Sequence, residues 1–158
     1  MSRRVSRWAL LVALAMVLSW LESLVPVGAP GMKLGLTNLA VVFALYRLGL
    51  PDAGGISLVR VLLVSLTFGN AYSLVYSLAG AVLSLTVMAV LQKTEKFSIL
   101  GVSIAGGVSH NVGQLLVAMA VLETARLSWY LPGLLLAGLA AGAAIGVVDG
   151  ILVRRVKL

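Results

Sequence analysis

Six apolar stretches occupy almost the whole chain, at Trp8–Leu24, Leu34–Leu50, Ala53–Gly69, Ala71–Leu91, Ile99–Leu122 and Leu131–Val153. Each is close to the roughly 17–25 residues that an α-helix needs to cross a hydrocarbon layer about 30 Å thick. In that layer a helix satisfies its own backbone hydrogen bonds, so stretches of this kind fold as a bundle. The expected fold is an all-α integral membrane protein, a six-helix bundle forming one transmembrane domain over residues 1–158. A hydrophobic fraction of 61% and a charged fraction of 11% exclude an ordinary soluble domain. Cysteine is absent, which removes disulfides, thiolate metal sites and cysteine nucleophiles.

A net charge of +7 would suggest nucleic acid in a soluble protein, but its placement here gives a topology instead. With the N-terminus inside and sides alternating, Arg3, Arg4, Arg7, Arg47, Lys93, Lys96, Arg154, Arg155 and Lys157 fall in the cytoplasm. Lys33 and Arg126 fall outside, and Arg60 lies within a span. This positive-inside bias places both termini in the cytoplasm, in a plasma membrane, with the bilayer and not nucleic acid as the partner. Arg3, Arg4 and Arg7 before an apolar run also resemble a signal peptide. The run is long and no small-x-small site follows it, so an uncleaved first helix is expected.

The connections are short, which makes successive helices antiparallel neighbours. Pro26, Gly28, Pro30 and Gly31 give an irregular outer loop, and Gly69-Asn70 a tight outer turn. Pro51 is expected to end the second span and Asp52 to cap the third. Trp8, Trp20, Trp129 and Tyr130 fall where interfacial aromatics are expected. Gly138, Gly142, Gly146 and Gly150 share one face of the sixth span; Ser73, Ser77, Gly80 and Ser84 share one of the fourth; Ala9 and Ala13 form a shorter stripe in the first. Small-residue stripes let helices approach closely. They serve either packing within the chain or docking to another subunit, and Ala9, Ala13, Gly142, Gly146 and Gly150 share the cytoplasmic half.

Polar residues inside the spans gather toward the outer side: Glu22, Lys33, Asn38, Asn70, Tyr72, Tyr76, His110, Asn111 and Gln114. Arg60 precedes Gly69 by nine residues, which puts it about 13 Å below the outer end. Ser57, Arg60 and Thr67 share one face, as do His110 and Gln114. A charge at the helix centre costs about 2.5–3.5 kcal/mol on insertion scales, so such residues persist where they face a cavity or a partner. Lys33, Asn38, Arg60, Tyr72, Tyr76, His110, Asn111 and Gln114 together suit an organic ligand with anionic or carbonyl oxygens and a flat apolar part. Each also has a plainer reading: Arg60 paired with Glu22, His110 a helix contact, Asn111 and Gln114 interhelical cross-links, the tyrosines packing. His110 has no ligand-spaced partner, so no metal site is expected, and no cofactor.

Three segments resemble a known family: Pro30-Gly31-Met32-Lys33-Leu34-Gly35-Leu36-Thr37-Asn38, Tyr72 to Gly80, and Gly106 to Gln114. It is the Gx transporter family, also labelled heptaprenyl diphosphate synthase component I. That family is similar in size and span pattern to the S components of energy-coupling factor transporters. The resemblance implies a six-helix subunit that captures a vitamin-like molecule from outside and docks to a transmembrane coupling subunit with ATPases. It would place Lys33, Asn38, Arg60, Tyr76, His110 and Gln114 in the outward site, and Ala9 and Ala13 in docking. The family label implies an alternative, an accessory subunit of a prenyl diphosphate synthase in isoprenoid or menaquinone biosynthesis. Chain elongation needs clustered aspartates to hold magnesium. Only Asp52 and Asp149 are present, far apart, so catalysis by this chain is not expected. No phosphate-binding Gly-rich loop is present either, so any ATP dependence belongs to a partner.

Overall fold

The computed structural model describes residues 3–24 and 35–156, and among these the regular structure is entirely helical. In chain order the helices are α1 (Arg3–Ser23), α2 (Asn38–Arg47), α3 (Leu50–Phe68), α4 (Ala71–Lys93), α5 (Ile99–Val121) and α6 (Leu131–Arg155). A short 3-10 helix, Ala125–Tyr130, leads into α6. All but α2 are long and apolar enough to cross a membrane. This is a multi-pass membrane bundle.

Contacts between helix ends fix an up-and-down path. Arg4 Nε donates to Asp52 Oδ1 at 2.8 Å, joining the starts of α1 and α3. Arg47 donates to the Val156 carbonyl, and Gln92 Nε2 to the Leu45 carbonyl at 3.2 Å, which ties the ends of α4 and α6 to the end of α2. Arg3, Arg4, Arg7, Arg47, Lys93, Lys96, Arg154 and Arg155 thus share one end, called here the basic end.

The second apolar stretch departs from expectation. Leu34–Leu50 was long enough to span, but the helix within it has ten residues and is about 15 Å long, half the hydrocarbon thickness. Gly35 takes a positive φ of 88° and Leu36-Thr37 form a turn, so α2 begins at mid-depth. Seven of its ten residues are buried, and it touches each of the other five α-helices. A short helix that is apolar on all sides suits the middle of a bundle.

At the next turn Gly49, with φ 95°, donates to the Ala44 carbonyl at 3.0 Å and reverses the chain into α3. A left-handed backbone is natural only for glycine there. Pro51 lies past the end of α2 in the first turn of α3, where its missing N–H costs nothing. Asp52 makes no backbone cap: its Oδ1 accepts from Arg4 and, at 2.8 Å, from Trp8 Nε1. Trp8 is therefore an interhelical contact, whereas Trp20, Trp129 and Tyr130 are exposed as interfacial anchors would be.

The α3–α4 turn carries a full capping box. Asn70 Oδ1 accepts from the Ser73 N–H at 2.8 Å, and Ser73 Oγ accepts from the Asn70 N–H at 3.1 Å. Asn70→Ala is expected to lower stability by about 1 kcal/mol in a thermal melt. An unchanged melt would show that the cap carries no weight.

Helices α4, α5 and α6 meet backbone to backbone. A Cβ on Gly107 would stand 2.5 Å from the Gly138 carbonyl oxygen, and one on Gly142 would stand 2.7 Å from Ile104 Cα. One on Gly113 would meet the Ala79 carbonyl oxygen at 2.9 Å. Ser103 Oγ donates to the Gly142 carbonyl, and Ser84 Oγ to the Gly106 carbonyl, both at 2.8 Å. Close approach and side-chain-to-carbonyl bonds replace the hydrophobic drive that lipid removes.

Candidate functional site

The site grows from the start of α2. Thr37 and Asn38 stand there at mid-depth, 2% and 3% exposed, opposite Arg60 at the middle of α3. Arg60 donates to Thr37 Oγ1 through one terminal nitrogen and to Asn38 Oδ1 at 3.2 Å through the other. Asn38 Nδ2 lies 3.5 Å from Ser84 Oγ, and Ser84 passes the chain to the Gly106 carbonyl. On the far side the Gly35 N–H donates to Glu22 Oε1, holding α1 against the start of α2. Glu22 also attracts the Arg60 charge, which compensates part of the cost of its burial.

His110 and Gln114 extend this line along α5. A Cβ on Gly35 would stand 3.5 Å from both His110 Cδ2 and Asn38 Nδ2, so these groups are neighbours. A Cβ on Gly80 would stand 3.0 Å from His110 Cε1 and 2.9 Å from Gln114 Cγ. The small residue on α4 is what lets both side chains fit between the helices. Asn38, Arg60 and His110 thus come together on three helices, with Glu22 from a fourth, and Gln114 follows His110 one turn along α5.

Other expected members stand elsewhere. Asn111 turns to α6, where its Nδ2 donates to the Leu134 carbonyl at 2.8 Å. Tyr76 is buried in an apolar cluster with Leu115, Ala118 and Leu134. Tyr72 is 57% exposed, its ring centroid 6.4 Å from that of Tyr76, and it faces out of the bundle. Thr67 is exposed near the end of α3 and donates to the Leu63 carbonyl of its own helix. Lys33 and the loop prolines and glycines lie outside the described residues. The small-residue set also divides. Gly142 and Gly146 are filled by α5, so they pack within the chain and offer nothing to a second subunit, whereas Ala9 and Ala13 are exposed on α1 and Gly150 is open.

Thr37, Ser84 and Gly35 are site residues that sequence reasoning did not select. Ser84 was visible only as a member of a packing stripe, and Thr37 only as the residue before Asn38.

The arrangement has hydrogen-bonding capacity left over. Gln114 is 0% exposed, and neither its Oε1 nor its Nε2 has a partner among the described residues. Asn111 Oδ1, Arg60 Nε and Ser65 Oγ are buried in the same condition. Each such group costs about 1–3 kcal/mol unless something answers it. The set provides donors and acceptors for an oxygen-rich organic solute. The side chains are closely packed, and the cavities at the basic end and on the α3–α4 surface are not lined by Arg60, His110 or Gln114. Among the described residues no three of His, Cys, Asp and Glu stand close enough to hold a metal ion. Asp149 is a separate case: it is 0% exposed on α6, between Ile145 and Leu152, with no partner for either oxygen among the described residues.

The family model described as heptaprenyl diphosphate synthase component I matches residues 11–152. The chain belongs to that family. The match takes in the Arg60 cluster, Asn111, both tyrosines and the glycine-packed helices, so every described residue of the site is part of the component I region. No curated protein and no solved structure matches the chain.

Proposed function

We propose that this component I family member is a non-catalytic binding subunit of the plasma membrane that captures a small organic molecule from the side opposite the basic end. The molecule carries anionic or carbonyl oxygens and a flat apolar part. Gln114 carries the reading: a fully buried amide with both polar atoms unanswered among the described residues, one turn along α5 from His110, which neighbours Asn38. A purely structural glutamine would be expected to spend at least one of those atoms on a neighbouring helix. Arg60 supplies the cation and His110 the ring. The exposed Ala9 and Ala13 on α1 suit contact with a transmembrane coupling subunit, from which any ATP-driven step would come.

The test separates binding from folding. Gln114→Met keeps side-chain volume and removes two unanswered polar atoms, so thermal stability is expected to hold or rise. Ligand retained through purification, read by native mass spectrometry, is expected to fall by tenfold or more, for a loss of about 1.4 kcal/mol or more. Undiminished retention in this variant would remove the site.

The family description favours a second reading, a membrane accessory subunit of a polyprenyl diphosphate synthase. The same mass spectra separate the two: a co-purifying prenyl diphosphate supports the accessory role, and a polar solute the capture role.

A further inference from the structure

A groove of ≈ 670 Å³ lies at the basic end, between the start of α5 and the last turns of α6. Leu100, Val147 and Ile151 line it and are 40%, 57% and 51% exposed, so the apolar wall opens sideways. Arg154 and Arg155, from the last turn of α6, line it too. Tyr46 reaches it from α2, and its hydroxyl oxygen is shielded from solvent with no hydrogen-bond partner among the described residues. Apolar wall, paired cations and an unanswered hydroxyl therefore meet in one recess.

We propose that this groove binds an anionic phospholipid of the leaflet at the basic end. Arg154 and Arg155 hold its phosphate, and an acyl chain lies along Leu100, Val147 and Ile151. The charge complementarity is local, and the leaflet next to such a basic end is where anionic lipid gathers. Tyr46 provides a donor for a phosphate or ester oxygen. The N-terminus of α5 faces the same end, although Ser98 Oγ already accepts from the Gly101 N–H there at 3.2 Å. A partner helix, about 10 Å across, would lay apolar surface over both arginines and strand their charges. The site is remote from Arg60 and Gln114 and does not depend on the capture reading.

The experiment reconstitutes the full chain in phosphatidylcholine nanodiscs with a minority of phosphatidylglycerol, and counts retained lipid by native mass spectrometry. The wild type is expected to retain phosphatidylglycerol selectively. The double variant Arg154→Gln, Arg155→Gln should lose roughly tenfold in retention. Gly150→Leu should lose as much by filling the groove, with thermal stability intact, because a Cβ at Gly150 meets nothing within 4 Å. Lys93→Gln with Lys96→Gln removes the same charge outside the groove and should change nothing. Equal losses in the two double variants would mean general surface attraction and overturn the site, as would full retention in Gly150→Leu. Displacement of phosphatidylglycerol by farnesyl diphosphate would overturn the occupant in favour of an isoprenoid diphosphate.

Discussion

Gly142→Leu is expected to lower stability by about 3 kcal/mol or more and to disrupt the pairing of α5 with α6. The first added carbon would stand 2.7 Å from Ile104 Cα and 2.8 Å from the Ser103 carbonyl oxygen, and neither is a flexible side chain that can swing away. Relief requires the two helices to part, which also strains the bonds from Ser103 to Gly142 and from Asn111 to Leu134. Gly150→Leu on the same helix is the control, since its added atoms enter open space. Denaturant-induced unfolding in detergent should separate the two variants clearly. Equal stability would show that the close approach at Gly142 contributes nothing.

Arg60→Met is expected to cost about 3 kcal/mol or more, the low end of the range for removing one member of a buried charged, hydrogen-bonded network. The loss comes less from the missing contacts than from what remains: Thr37 and Asn38 lose their donor, and Glu22, 3% exposed, loses the charge that offsets its own. Adding Glu22→Gln to Arg60→Met should recover part of that cost, because the remaining side chain is then uncharged. The double-mutant cycle measures this coupling directly. A sum of the two single effects, with no recovery, would mean that Arg60 and Glu22 do not share one electrostatic unit.

The spans were legible because their apolar lengths and breaks were sharp. Ala71, Ile99 and Leu131 begin helices as expected, and the ends of those helices differ by no more than two residues. The shortness of α2 was not legible. Leu34–Leu50 is apolar whether it spans or sits buried, and the decisive turn at Gly35 depends on a backbone angle that hydropathy does not register. Periodicity identified the glycine face of α6 without revealing what covers it; α5 does. Depth alone grouped Tyr72 with Tyr76, although one faces outward and the other into the core. Arg60, Asn38, His110 and Gln114 stood out as candidates because polar groups are rare at that depth, and the structure buries all four.

The backbone-to-backbone seams of α4, α5 and α6 divide the bundle into parts of unequal stiffness. Sliding α5 by one residue against either neighbour would drive carbonyls into Cα atoms, so these three helices shift as one slab. Helix α1 has no such seam and rests on α2 and α3 through larger side chains. On the proposed capture function, the breathing that admits a solute to Gln114 would be borne by the first three helices, hinged on a rigid back wall.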